Sequence, residues 1–126
     1  MNIDVVVVGG GPAGLLAAGY AAMQGARVTL LEKNAQIGRK LRITGKGRCN
    51  ITNSMPMGHY PEHLHGDVEL LKEAFTLLDN SGIVAIIEKQ GVPTVVERGT
   101  RVYPASGKAA DVAGALERWC SAQGVS

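Results

Sequence analysis

Residues 5–14, Val-Val-Val-Val-Gly-Gly-Gly-Pro-Ala-Gly, constrain this chain more than any other stretch. A short β-branched run, Ile3 and then Val5 to Val8, predicts a strand buried on both faces, as in a parallel sheet. It stops at Gly9-x-Gly11-x-x-Gly14, and an Ala/Leu-rich helical pattern follows at once. Each glycine has a physical reason at this spacing. Gly9 permits a tight strand-to-helix turn, Gly11 lets the backbone approach a diphosphate, and Gly14 lets the helix lie against the sheet. Pro12 suits the first helical position, where its missing N–H would have had no partner anyway. The free N–H groups at the positive helix end then face an anion.

A lone Gly-x-Gly-x-x-Gly is weak, because glycine-rich turns are common. Its surroundings strengthen it. Gly14, Ala18 and Ala22 form a smooth stripe for close packing on a sheet, and Gly25 falls where this helix should end. A second strand, Val28 to Leu31, closes on Glu32. That acid lies 18 residues beyond Gly14, near the separation at which a carboxylate accepts hydrogen bonds from an adenosine ribose. A carboxylate there favours a free 2′-hydroxyl, so FAD or NAD suits the pattern better than NADP. The plainer alternative is a βαβ start whose glycines serve only the turn.

The 126 residues suffice for one domain with a real core. Aromatic residues make up 4%, which argues against a stacking platform for single-stranded nucleic acid. No apolar run reaches membrane-spanning length, and the opening stretch reads as a strand, not as a signal peptide. Cys49 and Cys120 have neither metal-ligand spacing nor a disulfide framework, so a cytoplasmic setting is expected, with no metal and no membrane partner. His63 and His65 stand two apart without further ligands, and a solvated or capping role is the expectation.

Charge is unevenly spread. From Lys33 to Pro61 there is no acid, while Lys33, Arg39, Lys40, Arg42, Lys46 and Arg48 supply six positive charges. The other seven bases share the rest of the chain with all eleven acids. One basic loop on a mildly acidic body points to a polyanion, for which a diphosphate suffices and an RNA backbone is the alternative. The loop itself, Ile37 to Asn53, is broken by Gly38, Gly45 and Gly47. It predicts an ordered connection with one helical turn near Arg39 to Ile43.

Farther on, Asp67 should cap a helix over about 68–78, with Leu70, Leu71, Ala74, Phe75 and Leu78 on one face. Residues 79–82 should break it before a second helix from Ile83 to Gln90. Thr94–Glu97 and Arg101–Tyr103 predict a hairpin, and residues 108–123 a last amphipathic helix burying Val112, Leu116, Trp119 and Cys120. Gly107-Lys108 is no phosphate loop, since Ala109 lacks a hydroxyl for magnesium. At 123–126 a doubly wound domain would begin its third parallel strand. The pattern as a whole predicts an α/β, Rossmann-like fold with an incomplete parallel sheet and a β-hairpin.

Gly38-Arg39-Lys40, followed by Thr44-Gly45-x-Gly47-Arg48-Cys49-Asn50-x-Thr52-Asn53, resembles the signature of the BaiN/YhiN-type flavoproteins. Arg101-Val102-Tyr103-Pro104-Ala105-Ser106-x-Lys108-Ala109-x-Asp111-Val112 resembles a second segment of that family. The resemblance implies an FAD-binding domain of glutathione-reductase type, of which residues 1–126 would be the N-terminal part. The remaining strands and an inserted substrate domain would lie outside it. It further implies an FAD-dependent oxidoreductase with NAD(P)H as electron donor, reducing an activated C=C bond in a ribosomal RNA uridine or a dehydro-bile-acid type intermediate.

Carried onto this sequence, Gly9, Gly11, Pro12, Ala13 and Gly14 would line the pyrophosphate, and Glu32 would hold the ribose. Lys33, Gly38, Arg39 and Lys40 would sit by the adenosine end. Thr44, Gly45, Gly47, Arg48, Cys49, Asn50 and Thr52 would run along the diphosphate towards the flavin. Cys49 is open to three readings: a buried structural thiol, a backbone-positioning residue, or a proton donor beside the flavin. The neighbouring Arg48 would lower its pKa. The resemblance also admits a flavin amine oxidase, and the basic loop alone suits a nucleotide- or RNA-binding module without catalysis.

Overall fold

The computed structural model describes residues 4–126. Ile3, expected at the head of the first strand, lies outside the described residues. Strands β1 (Asp4–Val8) and β2 (Arg27–Leu31) pair in parallel, Asp4 opposite Arg27 through Val8 opposite Leu31. Helix α1 (Pro12–Met23) connects them, with Pro12 in its first turn and Gly25, at φ +89°, just past its end. Val5, Val7, Val28 and Leu30 pack towards the core.

The other face of this pair departs from expectation. Val6 and Val8 are 62% and 82% exposed, and Leu31 is exposed beside them. The β-branched run predicted burial on both faces, but the described helices cover one face only.

Helix α4 (Ala109–Ala122) is the centre of the core, burying Ala109, Val112, Ala113, Ala115, Leu116, Trp119 and Cys120. It lies against α1, where Trp119 fills the space beside Gly19 and tilts against Tyr20 with ring centroids 5.6 Å apart. Beyond α4, Ser126 pairs with β2 on the edge away from β1. Its N–H donates to the Val28 carbonyl (3.1 Å) and its carbonyl accepts from Leu30 N–H (2.8 Å).

A second, antiparallel sheet has residues 101–104 at its centre, between residues 52–53 and residues 94–97. The expected hairpin is β4 (Thr94–Glu97) and β5 (Arg101–Pro104), and β3 (Thr52–Asn53), the end of the basic loop, joins its far side. Between β3 and β4 in the chain come α2 (Val68–Leu77), capped by the Asp67 carboxylate on Leu70 N–H, and α3 (Asn80–Lys89). Two expectations are corrected here. Residues 79–82 are not a break before α3 but its cap and first turn, because the Asp79 carboxylate accepts from Gly82 N–H (2.7 Å). On α2 the inward face is Val68, Leu71 and Phe75, while Leu70 and Ala74 are exposed. No helix among the described residues is long and apolar enough to cross a membrane.

Candidate nucleotide-binding site

The turn between β1 and α1 uses its glycines in three different ways. Gly9 has φ +105°, a conformation that costs a side-chain-bearing residue about 1–2 kcal/mol. A Cβ built on Gly14 would lie 1.9 Å from the Gly9 carbonyl oxygen, so the helix could not sit this close with any larger residue. Gly11 is ordinary extended backbone (φ −82°, ψ 177°), and a Cβ there would meet nothing within 4 Å. The room above Gly11 is therefore open. No side chain caps α1, and Pro12 and Ala13 are exposed at its start. Unused N–H groups at a positive helix end facing open space form a seat for an anion.

Gly10, which the spacing pattern leaves unassigned, is the most tightly held residue of the turn. It is buried, its N–H donates to Glu32 Oε2 (2.8 Å), and its carbonyl accepts from Gly38 N–H (2.8 Å). A Cβ on it would press on Ile37 Cγ2 at 3.0 Å and Glu32 Oε2 at 3.3 Å. The end of β2 and the start of the basic loop are thereby fastened to the glycine turn.

Glu32 stands at that junction. Its Oε1 accepts from the backbone N–H of Asn34 (2.8 Å) and from Asn34 Nδ2 (2.6 Å). Backbone donation from Asn34 and then from Gly10 holds the carboxyl below the usual carboxylate range. Partial burial opposes this, and the Asn34 amide and the nearby Lys33 charge add to it. Glu32 is thus an ionised acceptor beside an open anion seat, an arrangement that suits a ribose hydroxyl next to a phosphate.

The basic loop divides into two parts. Gly38, buried at φ +68°, sits against Ala113 of α4, and Arg42 Nε donates to the Ile37 carbonyl (3.0 Å). Lys33, Arg39, Lys40 and Lys46 are exposed and make no ion pair to a described residue. Residues 41–47 form two 3₁₀ turns where one helical turn near Arg39 to Ile43 was expected, because the backbone leaves helical geometry at Thr44, Gly45 and Lys46. Arg48 then points to the hairpin, pairing with Glu97 and lying 4.4 Å over the Tyr103 ring. The acid that neutralises it comes from 49 residues away, so counting charges within the loop could not find it. Asn50 is exposed, and Thr52 is held in β3.

Cys49 is 1% exposed and part of the core, with φ +60° and its N–H donating to the Thr44 carbonyl (3.0 Å). Burial pushes its thiol pKa up, the Thr44 hydroxyl opposing. This corrects the expected lowering by Arg48. The thiol is a packed, protonated group, as is Cys120.

Several residues that matter here carried little signal. Gly10 was one of three adjacent glycines, Asn34 lay two beyond a strand-ending acid, and Glu97 and Tyr103 belonged to a distant hairpin.

A parallel βαβ start with a glycine turn, an open helix end and an acid closing β2 defines a Rossmann-type domain. The chain belongs to the HI0933-like protein Rossmann domain family, whose model matches residues 3–126. It is 36% identical over 115 residues to a 3-dehydro-bile acid delta(4,6)-reductase of Clostridium scindens, covering 88% of this chain and 27% of that protein. It is 32% identical over 88 residues to a ribosomal RNA dihydrouridine synthase of Haemophilus influenzae, covering 69% and 21%. The chain thus spans about a quarter of the length of these curated relatives. The crystal structure of THI4 from Thermovibrio ammonificans shares the fold, with a TM-score of 0.64, 19% identity, and coverage of 98% of this chain and 36% of that one. The family read from residues 38–53 and 101–112 is borne out.

Proposed function

We propose that this chain binds the ADP portion of FAD at the start of α1 and forms the nucleotide-binding part of a flavin-dependent oxidoreductase. The observation that carries the reading is the open space over Gly11, bounded by an uncapped helix end and by the ionised Glu32. The residues present suit such a ligand. The N–H groups of the α1 start would bind the diphosphate, Glu32 would accept from the ribose, and Lys33, Arg39 and Lys40 would offset phosphate charge. Gly38, Thr44, Gly45, Gly47, Asn50 and Thr52 would shape the backbone path along the ligand.

When bound, FAD supplies hydride chemistry, here with NAD(P)H as donor and an activated C=C bond as acceptor. The names of the two relatives, a dihydrouridine synthase and a delta(4,6)-reductase, favour reduction over amine oxidation. A uridine of ribosomal RNA or a dehydro-bile-acid type molecule is the substrate class they suggest, in a cytoplasmic setting. The chain's own residues would bind and orient the ligand, with Cys49 a structural thiol.

A second reading, a non-catalytic RNA-binding module, draws on the exposed Lys33, Arg39, Lys40 and Lys46. Titration calorimetry with ADP, FAD and a short RNA separates the two. ADP and FAD should compete for one site, with binding insensitive to RNA. Binding of RNA alone, falling steeply with salt, would favour the second reading and overturn the first.

A further inference from the structure

We propose that Asn34 is a positioning residue for the nucleotide. By occupying Oε1 of Glu32 it leaves Oε2, which accepts from Gly10 N–H, as the carboxylate oxygen with room for a ribose hydroxyl. The proposal rests on the nucleotide reading above.

A carboxylate offers about four acceptor positions, two on each oxygen. Donors from the described residues fill three of them, and two converge on Oε1 from the backbone N–H and the side-chain amide of Asn34. The orientation of that amide follows from chemistry. Only its NH₂ can face an ionised carboxylate, which donates nothing. On Oε2 a single donor among the described residues, Gly10 N–H, is present, and it comes from the glycine turn itself. The remaining acceptor position is therefore on the oxygen that the glycine turn holds, two residues before α1 begins.

One free position on an anion admits a hydroxyl that donates. It rejects a phosphate ester, which brings only acceptors and negative charge. The ligand class is thus a nucleoside diphosphate with an unsubstituted ribose. Asn34 also shares in keeping Glu32 ionised, and Lys33 is the charged neighbour acting in the same direction.

Two variants test this. Asn34→Ala removes the amide but keeps the backbone donor, while Asn34→Ser retains a shorter donor. In the ligand-free chain, carbon-detected NMR titration of the Glu32 carboxyl should show a higher midpoint in Asn34→Ala, moved back towards wild type in Asn34→Ser. ADP affinity by calorimetry at neutral pH should fall about tenfold in Asn34→Ala, the scale of one charge-assisted hydrogen bond's ordering, with a deeper loss at acid pH. Far-UV melts of both variants check that the fold persists. A wild-type chain that binds no ADP would refute the nucleotide reading, and this proposal with it. Wild-type ADP binding matched by Asn34→Ala, with the Glu32 midpoint unmoved, would refute the proposal alone.

Discussion

Gly14→Ala and Gly11→Val ought to separate what the glycine turn does for the fold from what it does for a ligand. At position 14 the new Cβ would fall 1.9 Å from the Gly9 carbonyl oxygen, where a carbon and an oxygen need about 3.3 Å. The helix or the turn must therefore move by about 1.4 Å, and no rotamer can relieve a backbone collision. Overpacking of this kind costs about 3 kcal/mol, and the better helix propensity of alanine returns about 1 kcal/mol. The net loss should be about 2 kcal/mol. At position 11 the φ of −82° suits any residue and the Cβ meets nothing, so Gly11→Val should lose only about 1 kcal/mol through a poorer N-cap. Its side chain would nevertheless stand in the space assigned to the diphosphate. Urea unfolding followed by the single tryptophan, Trp119, reads the first quantity, and ADP calorimetry the second. Gly11→Val should fold and not bind. If it binds ADP as wild type does, the nucleotide is not at this turn. If Gly14→Ala is as stable as wild type, the close approach of α1 is wrong.

Gly19→Ala would put a Cβ 2.2 Å from Trp119 Cζ3, and the ring would have to leave Tyr20 at a cost of about 1–2 kcal/mol. Combining it with Trp119→Phe should recover part of that loss in a circular-dichroism melt, and strict additivity of the two changes would count against the packing. Cys49 and Cys120, at 1% and 3% exposure with raised pKa values, should resist a thiol reagent in the native chain and react together on unfolding. Rapid labelling of one thiol in the native state would overturn their placement in the core.

What the sequence made legible was carried by short-range pattern. The β1–α1–β2 unit follows from a valine run, a glycine spacing and a helix stripe within 31 residues. The hairpin and α4 follow from alternation and helical periodicity, and the Asp67 cap from its place before an apolar run. Burial of Val6 and Val8 could not be settled this way, because a β-branched strand reads alike whether one face or two are covered. Nor could the link between Gly19 and Trp119, a hundred residues apart, or that between Arg48 and Glu97. The two-residue strand β3 is set by its partner β5, since two residues carry no period of their own. At the candidate site the motif positions were visible, but the bonds from Glu32 to Gly10 and Asn34 were not, and these give the acid its direction.

Those bonds bear on how the site would bind. Both polar groups of Gly10 are engaged by residues 22 and 28 positions away, Glu32 through its carboxylate and Gly38 through its N–H. The turn therefore takes its shape from β2 and the loop, and needs no ligand to hold it. The same loop carries Lys46 and Cys49 at φ +58° and +60°, each about 1–2 kcal/mol unfavourable. For Cys49 the offset is plain in its burial and its bond to the Thr44 carbonyl, and the pairing of Arg48 with Glu97 anchors the adjoining residue to the hairpin. A loop ordered in advance by its own contacts spares a ligand the entropy of ordering it, which is how a site with few direct contacts can still bind. The hairpin, although it faces no part of the proposed nucleotide, would then support the site through the contacts of Glu97 and Tyr103 with Arg48.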